Sequence, residues 1–304
     1  MHLLRLDTEG SATPRSCVLK TAPAPGDGAS DGARRLALAN RVFEREVGFY
    51  RALRTERTPL GLPTVHFASY DKASGRAALL LEDCEAAGLV RGDSVRAGPV
   101  GGDDSDDQQQ GLCADAAPVL VRALAAHHAR FWNGAPFALW RWLPEMNGAS
   151  TFCVRCRGSI AHVPLSTSIF SLCAARMIRD FEPALCEAAL PEALSRFGDD
   201  VPAPLRSYLP GLQAAAAGPL LQRLSSGPRT LLHGDARLHN LFAPRALLAG
   251  EGEGDASSVR FVDFGDVASG RGAYDVACLL ADGMPSEERC DTRHCLRLQA
   301  AARS

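Results

Sequence analysis

The sequence predicts an α+β chain, with a small antiparallel β region carrying one helix, followed by a mainly helical region. Three observations predict it. Short Val- and Leu-rich runs bounded by Gly, Ser, Pro and Asp crowd residues 1–84. From Ala114 the apolar residues instead recur at helical spacing, as Leu120, Leu124, His128 and Phe131 do. Between the two patterns lies GGDDSDDQQQG, Gly101–Gly111, whose polar, acidic composition suits a solvated surface loop. The expected organisation is a first lobe over 1–84, a linker and acidic loop over 85–113, and a helical lobe over 114–304.

Each element has its own warrant. LLRLDTEG and SCVLK read as strands around a turn, and 22–35 is a loop by composition. A helix is expected over 36–54, where Val42, Glu46 and Tyr50 lie four apart with Phe43 and Val47 beside them. That spacing puts Glu46 on the apolar stripe and points Glu44 outward. A carboxylate on a buried stripe needs a cationic partner. GLPTVHFASYDKASGRAALLLEDC reads as a hairpin ending in the apolar strand Ala78–Glu82. Residues 151–225 read as mostly helical. TLLH, NLFA and VRFVDF read as short strands, Glu251–Ser258 as an exposed turn before the last of them, and YDVACLLAD as a helix.

Composition narrows the function classes. A net charge of -2 with no basic stripe argues against a nucleic-acid partner. No apolar run approaches the ~18 residues of a membrane span, and MHLLRLDTEG lacks the regions of a secretory signal. The ten cysteines are scattered, which suits reduced thiols in a cytoplasmic protein. Cys153 and Cys156 form one CxxC pair, and even with His294 and Cys295 the spacing matches no zinc module. His127 and His128 read as core histidines, and Asp103, Asp104, Asp106 and Asp107 as a solvated loop. Nothing in the sequence speaks to oligomeric state.

The chemistry concentrates in LLHGDARLHNLFA and VRFVDFGD. Asp235 and Asn240 stand five apart, and Asp263 ends an apolar run further on. Phosphoryl transfer uses this set: one carboxylate orients the attacking hydroxyl and takes its proton, while an amide oxygen and a second carboxylate hold Mg²⁺ against the phosphates. Gly234 lets the backbone turn beside Asp235, and His233 can hydrogen-bond neighbouring backbone. Asp266 reads equally as a metal or substrate contact and as a turn residue. His233, Asp235, His239 and Asp263 could also be combined into the metal cluster of a hydrolase. That reading leaves Asn240, Lys20 and Glu46 without a role.

HGDxxxxN, the trailing DF and YDVACLL closely resemble the aminoglycoside phosphotransferase, choline kinase and ecdysteroid-kinase-like superfamily. The likeness runs over about residues 2–285. SCVLK resembles the strand with that family's phosphate-binding lysine, here Lys20. Lysine occurs in the chain only at Lys20 and Lys72, and only Lys20 ends an apolar strand. FEREVGFYRAL resembles the helix with its ion-pair glutamate, here Glu46, and ALLLED resembles its hinge strand. LAAHHARFW resembles the first large helix of its C-terminal lobe.

The resemblance implies a bilobal, protein-kinase-like fold with ATP in the cleft and a small-molecule hydroxyl as phosphate acceptor. Asp235 would be the catalytic base, and Asn240 and Asp263 would bind Mg²⁺. Lys20 would contact the α- and β-phosphates, and Glu46 would hold Lys20. Backbone from Glu82 to Cys84 would meet adenine, and Asp275 would cap the last helix. The chain departs from the pattern at both ends. The family's first strand and phosphate-covering loop would lie ahead of Met1, and its further helices beyond Ser304. The expectation is a chain cut at both ends that binds Mg-ATP weakly. A weakly active or inactive kinase-like binding protein is the second reading. The acceptor stays open among an amino alcohol, a sugar, a sterol-like alcohol and a hydroxyacyl thioester.

Overall fold

The strand-forming runs of the N-terminal region pair with one another. In the computed structural model, β1 (His2–Arg5), β2 (Ser16–Thr21), β3 (Val65–Asp71) and β4 (Arg76–Glu82) form an antiparallel sheet in the order β1-β2-β4-β3. The structure describes residues 2–5, 16–22, 37–38, 41–94, 112, 115–145, 227–251 and 255–284. The acidic loop, the helical stretch expected over 151–225, Cys153, Cys156, His294 and Cys295 lie outside them.

Local chemistry sets the sheet's register. Between β3 and β4, the Asp71 carboxylate accepts from the Ala73 N–H and the Ser74 hydroxyl, and Gly75 closes the turn at φ 69°. On β2, Lys20 stands opposite Leu79.

The helix expected over 36–54 is interrupted: Ala37 and Leu38 are helical, and helix α1 runs over Val42–Ala52. Arg41 sits in the left-handed region at φ 54°, which an α-helix cannot pass through, and its guanidinium pairs with Glu44 at 2.5 Å. Glu44 therefore faces outward while Phe43, Glu46, Val47, Phe49 and Tyr50 are buried.

Helix α2 (Ala117–Arg130) buries Leu120, Leu124, His127 and His128, and Phe131 is buried just past its end. Beyond it, β5 (Val90–Arg91), β7 (Leu241–Ala243) and β8 (Arg260–Phe261) form one small antiparallel sheet. β6 (Thr230–Leu232) and β9 (Ala268–Gly270) form another. Helices α3 (Arg245–Ala249) and α4 (Ala273–Gly283) follow β7 and β9. Among the described residues, no helix is long and apolar enough to cross a membrane.

One apolar core joins these parts. Phe49 and Tyr50 of α1, Leu120 and Leu124 of α2, Leu231 of β6, and Phe261 and Phe264 all belong to it. The Phe49 and Phe264 rings stack with centroids 3.7 Å apart. Each such side chain contributes about 1.5–3 kcal/mol by leaving water. The core thus fastens α1 to the segment that carries Asp263.

The expected strand VRFVDF is shorter than its apolar run. Only Arg260 and Phe261 are in β8. The Val262 N–H donates instead to the Asn240 carbonyl at 2.9 Å, and Asp263 turns left-handed at φ 64° into the 3-10 turn Phe264–Asp266. The α+β class is as expected. In chain order the strand with Lys20 and the helix with Glu46 come first, and the loops with Asp235 and Asp263 follow.

Candidate active site

The loop after β6 is fixed mainly through its backbone. Gly234 lies at φ 85°, and a Cβ there would run into the Asp266 carbonyl oxygen, so two independent constraints call for glycine. The His233 N–H donates to Asp275 Oδ2 at 2.8 Å and the Gly234 N–H to Asp275 Oδ1 at 2.9 Å. His128 Nε2 lies 2.9 Å from Asp275 Oδ2. Burial opposes the Asp275 charge, but the His128 hydrogen bond, together with the donor from Gly234 and the nearby imidazoles, outweighs it and holds the carboxyl below its ordinary range. This corrects the capping role implied for Asp275. Helix α4 has no side-chain cap, and the carboxylate serves the loop before it.

His233 reads the backbone on both sides. Its Nε2–H donates to the Val262 carbonyl at 3.0 Å, and its Nδ1 accepts from the Asp235 N–H at 3.3 Å. A single neutral tautomer makes both bonds, and burial pushes its pKa down, which keeps it neutral. With both ring nitrogens committed to backbone, His233 has none for a metal. Among the described residues, no group of three or more His, Cys, Asp or Glu is placed to hold an ion. The hydrolase cluster of His233, Asp235, His239 and Asp263 is therefore not assembled.

Asp235 is buried, and the 3-10 turn Leu238–Asn240 folds Asn240 back over it. Asn240 Nδ2 donates to the Asp235 carbonyl at 2.9 Å and to its Oδ2 at 2.8 Å. Arg237, which the motif reading passed over, grips the same carboxylate with both arms. Its Nε is 2.6 Å from Oδ1 and its Nη2 is 2.9 Å from Oδ2. The sequence signal was a cation two residues from the expected base.

On the facing side, Lys20 Nζ lies 2.9 Å from Glu46 Oε1 and 2.8 Å from Oε2. It also lies 2.7 Å from Asp263 Oδ1, a second partner that spacing does not reveal. Burial alone would lower the Lys20 pKa, but Glu46 and Asp263 outweigh it and keep the ammonium charged. Burial pushes the Glu46 carboxyl up to about 7 against the pull of Lys20. For Asp263, partial burial opposes the charge, but the Lys20 charge and hydrogen bond, with the Gly265 N–H, outweigh it, and the carboxyl sits below its ordinary range.

Asp266, open between two readings, is engaged by Arg45 in a buried ion pair at 3.2 Å. Two successive residues of α1 thus reach the site, Arg45 toward Asp266 and Glu46 toward Lys20. Phe264 packs against the His233 ring with centroids 4.4 Å apart. At the expected hinge, the Glu82 carboxylate accepts from the Thr64 N–H and hydroxyl at 2.8 and 3.1 Å. The Glu82 N–H donates to the Thr64 carbonyl, and the Cys84 carbonyl accepts from Leu89. Burial raises the Cys84 thiol to about 12, so it stays protonated near neutral pH.

The structure therefore brings Lys20, Glu46 and Asp263 into one group and His233, Asp235, Asn240 and Asp275 into another. Val262 joins them, its carbonyl bound by His233 and its N–H bound to Asn240. Glu82 and Cys84 hydrogen-bond instead to Thr64 and Leu89.

No family model matches the chain, and no curated protein matches it. Solved structures do align with it at low identity. An aminoglycoside 2'-phosphotransferase in complex with GDP is 16% identical, with 89% of this chain and 67% of that one covered at a TM-score of 0.45. An aminoglycoside phosphotransferase from Streptomyces rimosus, in complex with ADP and streptomycin, is 16% identical over 95% and 80%, with a TM-score of 0.43. A macrolide 2'-phosphotransferase from Brachybacterium faecium is 16% identical over 94% and 69%, with a TM-score of 0.42.

Proposed function

We propose that this chain is a small-molecule kinase that transfers the γ-phosphoryl group of ATP to an acceptor hydroxyl, in a cleft between lobes over 1–84 and 114–304. The observation that carries this reading is the linked arrangement of Asp235, Asn240, Asp263 and the Lys20–Glu46 pair around Val262. Asp235 orients the acceptor hydroxyl and takes its proton. Lys20 holds phosphate oxygens, and Glu46 holds Lys20. Backbone from Glu82 to Cys84 faces adenine.

The donor set fits Mg²⁺. Asn240 spends its amide N–H groups on Asp235, which leaves the amide oxygen as its metal donor. The Asp263 side chain is 50% exposed and offers hard carboxylate oxygens. Bound there, the ion would neutralise charge on the phosphates. Asn240 and Asp263 are the residues that would hold it.

One observation favours a second reading, a kinase-like binding protein of low turnover: Lys20 and Arg237 already neutralise Asp263 and Asp235. Turnover separates the two. The purified chain is incubated with Mg-ATP and amino alcohols, sugars, sterol-like alcohols or hydroxyacyl thioesters, and ADP release is followed. Acceptor-dependent release is expected, falling about 10²–10⁴-fold in Asp235→Asn while nucleotide binding persists. Unchanged turnover in the folded variant rejects Asp235 as the base. Nucleotide binding without transfer to any acceptor supports the second reading.

A further inference from the structure

Arg237 grips Asp235 through both of its carboxylate oxygens. An ionised carboxylate offers about four lone-pair positions. Arg237 occupies one on each oxygen, at 2.6 and 2.9 Å, and Asn240 occupies a third at 2.8 Å. One position remains for an acceptor hydroxyl. The Arg237 side chain is 18% exposed and lies on the loop between the base and Asn240.

We propose that Arg237 is a second catalytic cation, which holds Asp235 until the acceptor proton arrives and then turns to the phosphoryl group in transfer. This rests on the kinase reading. In that step the acceptor O–H bond breaks and its proton passes to Asp235. The freed electron pair forms the new O–P bond, the bond from γ-phosphorus to the bridging oxygen breaks, and ADP leaves with that electron pair. Protonation cancels the Asp235 charge at the moment when negative charge spreads over the three equatorial phosphoryl oxygens.

Distance favours the handover. A hydroxyl bound to Asp235 sits about 2.5–3.0 Å from the carboxylate, and its oxygen begins about 3–3.5 Å from the phosphorus. The phosphoryl oxygens therefore come within one side-chain rotation of a guanidinium already touching the base. A guanidinium matches carboxylate and phosphoryl oxygens alike with its forked donors. Lys20 has the parallel position at Asp263, held by a carboxylate in the place where phosphate oxygens arrive.

Asp235→Asn carries permanently the neutrality that protonation gives transiently, so it exposes the handover to a binding measurement. Mg-ATP and Mg-ADP are titrated calorimetrically into the wild-type chain, Asp235→Asn, Arg237→Ala and the double variant. With Arg237 present, Asp235→Asn is expected to tighten Mg-ATP about tenfold and leave Mg-ADP unchanged. With Arg237 replaced, the same change should bring no more than about twofold. Simple relief of repulsion between Asp235 and the γ-phosphate predicts equal tightening in both backgrounds, and that result overturns the proposal. If the alanine variants fail to fold, Arg237→Lys replaces them. A point charge lacks the fork, so most of the tightening should be lost, and its full retention overturns the proposal. A folded wild-type chain that binds neither nucleotide removes the kinase reading and this one together. Nucleotide binding with equal tightening removes only this one.

Discussion

Asp275 and Asp263 serve the same site and are held in opposite ways. Asp275 is fully buried and takes two backbone N–H groups of the loop and a histidine of α2. Asp263 is half exposed, stands at a left-handed backbone position, and is gripped by a lysine 243 residues away in sequence. The first arrangement commits its acceptors to buried donors and fixes geometry. The second pairs one charge with another at a solvent-facing edge, where a cation can be exchanged. The contrast separates the part of the site that holds shape from the part that handles charge.

Removing the Asp275 carboxylate should produce the largest effect. Asp275→Ala strands two buried N–H groups and the His128 ring, and breaking such a buried set costs about 3–5 kcal/mol. Urea unfolding of the purified variant checks this. A loss under about 1 kcal/mol would break the contrast by making Asp275 dispensable to the loop.

A smaller effect is expected at Glu46. Its carboxyl titrates near 7 in the folded chain and near 4.5 when exposed. Between those values the folded chain keeps a proton that the unfolded chain has released. This contribution therefore weakens stability as pH rises from about 4.5 to about 7. Glu46→Gln cannot titrate, so its unfolding midpoint should fall less than that of the wild type between pH 5 and pH 8. Parallel pH profiles would show that Lys20 keeps Glu46 ionised throughout.

Asp263→Ala should have the smallest effect on stability. Its bond to Lys20 is at a solvent-facing edge, where such pairs contribute about 0–1 kcal/mol, and Lys20 keeps Glu46. Thermal unfolding within a few degrees of wild type is expected. A loss as large as that of Asp275→Ala would erase the distinction between the two carboxylates.

Residues whose placement depends on near neighbours in sequence were legible before the structure. Gly234, Asp235 and Asn240 lie in one short loop, and the helical stripe placed Glu46 among apolar residues. A buried carboxylate demands a cation, and the family resemblance named Lys20 for it. What depends on tertiary approach was not legible. Asp275 stands 41 and 42 residues beyond the N–H groups that it binds. Arg45 meets Asp266 across 221 residues. The run VRFVDF looked like strand throughout, because periodicity does not show that Val262 spends its N–H on Asn240. Arg237 was in plain view within the motif. A long flexible side chain has no preferred partner until the loop closes, so spacing assigned it none.

The central claim is that Asp263 and Asn240 form a metal site that serves a nucleotide held by Lys20. Calorimetric titration of ATP into the wild-type chain and Asp263→Ala, each with Mg²⁺ and with EDTA, tests it most directly. The wild type should bind ATP tighter with Mg²⁺ by about tenfold or more, and the folded Asp263→Ala chain should show the same affinity in both conditions. Equal wild-type affinity with and without Mg²⁺, or a full Mg²⁺ dependence surviving in Asp263→Ala, would contradict the account.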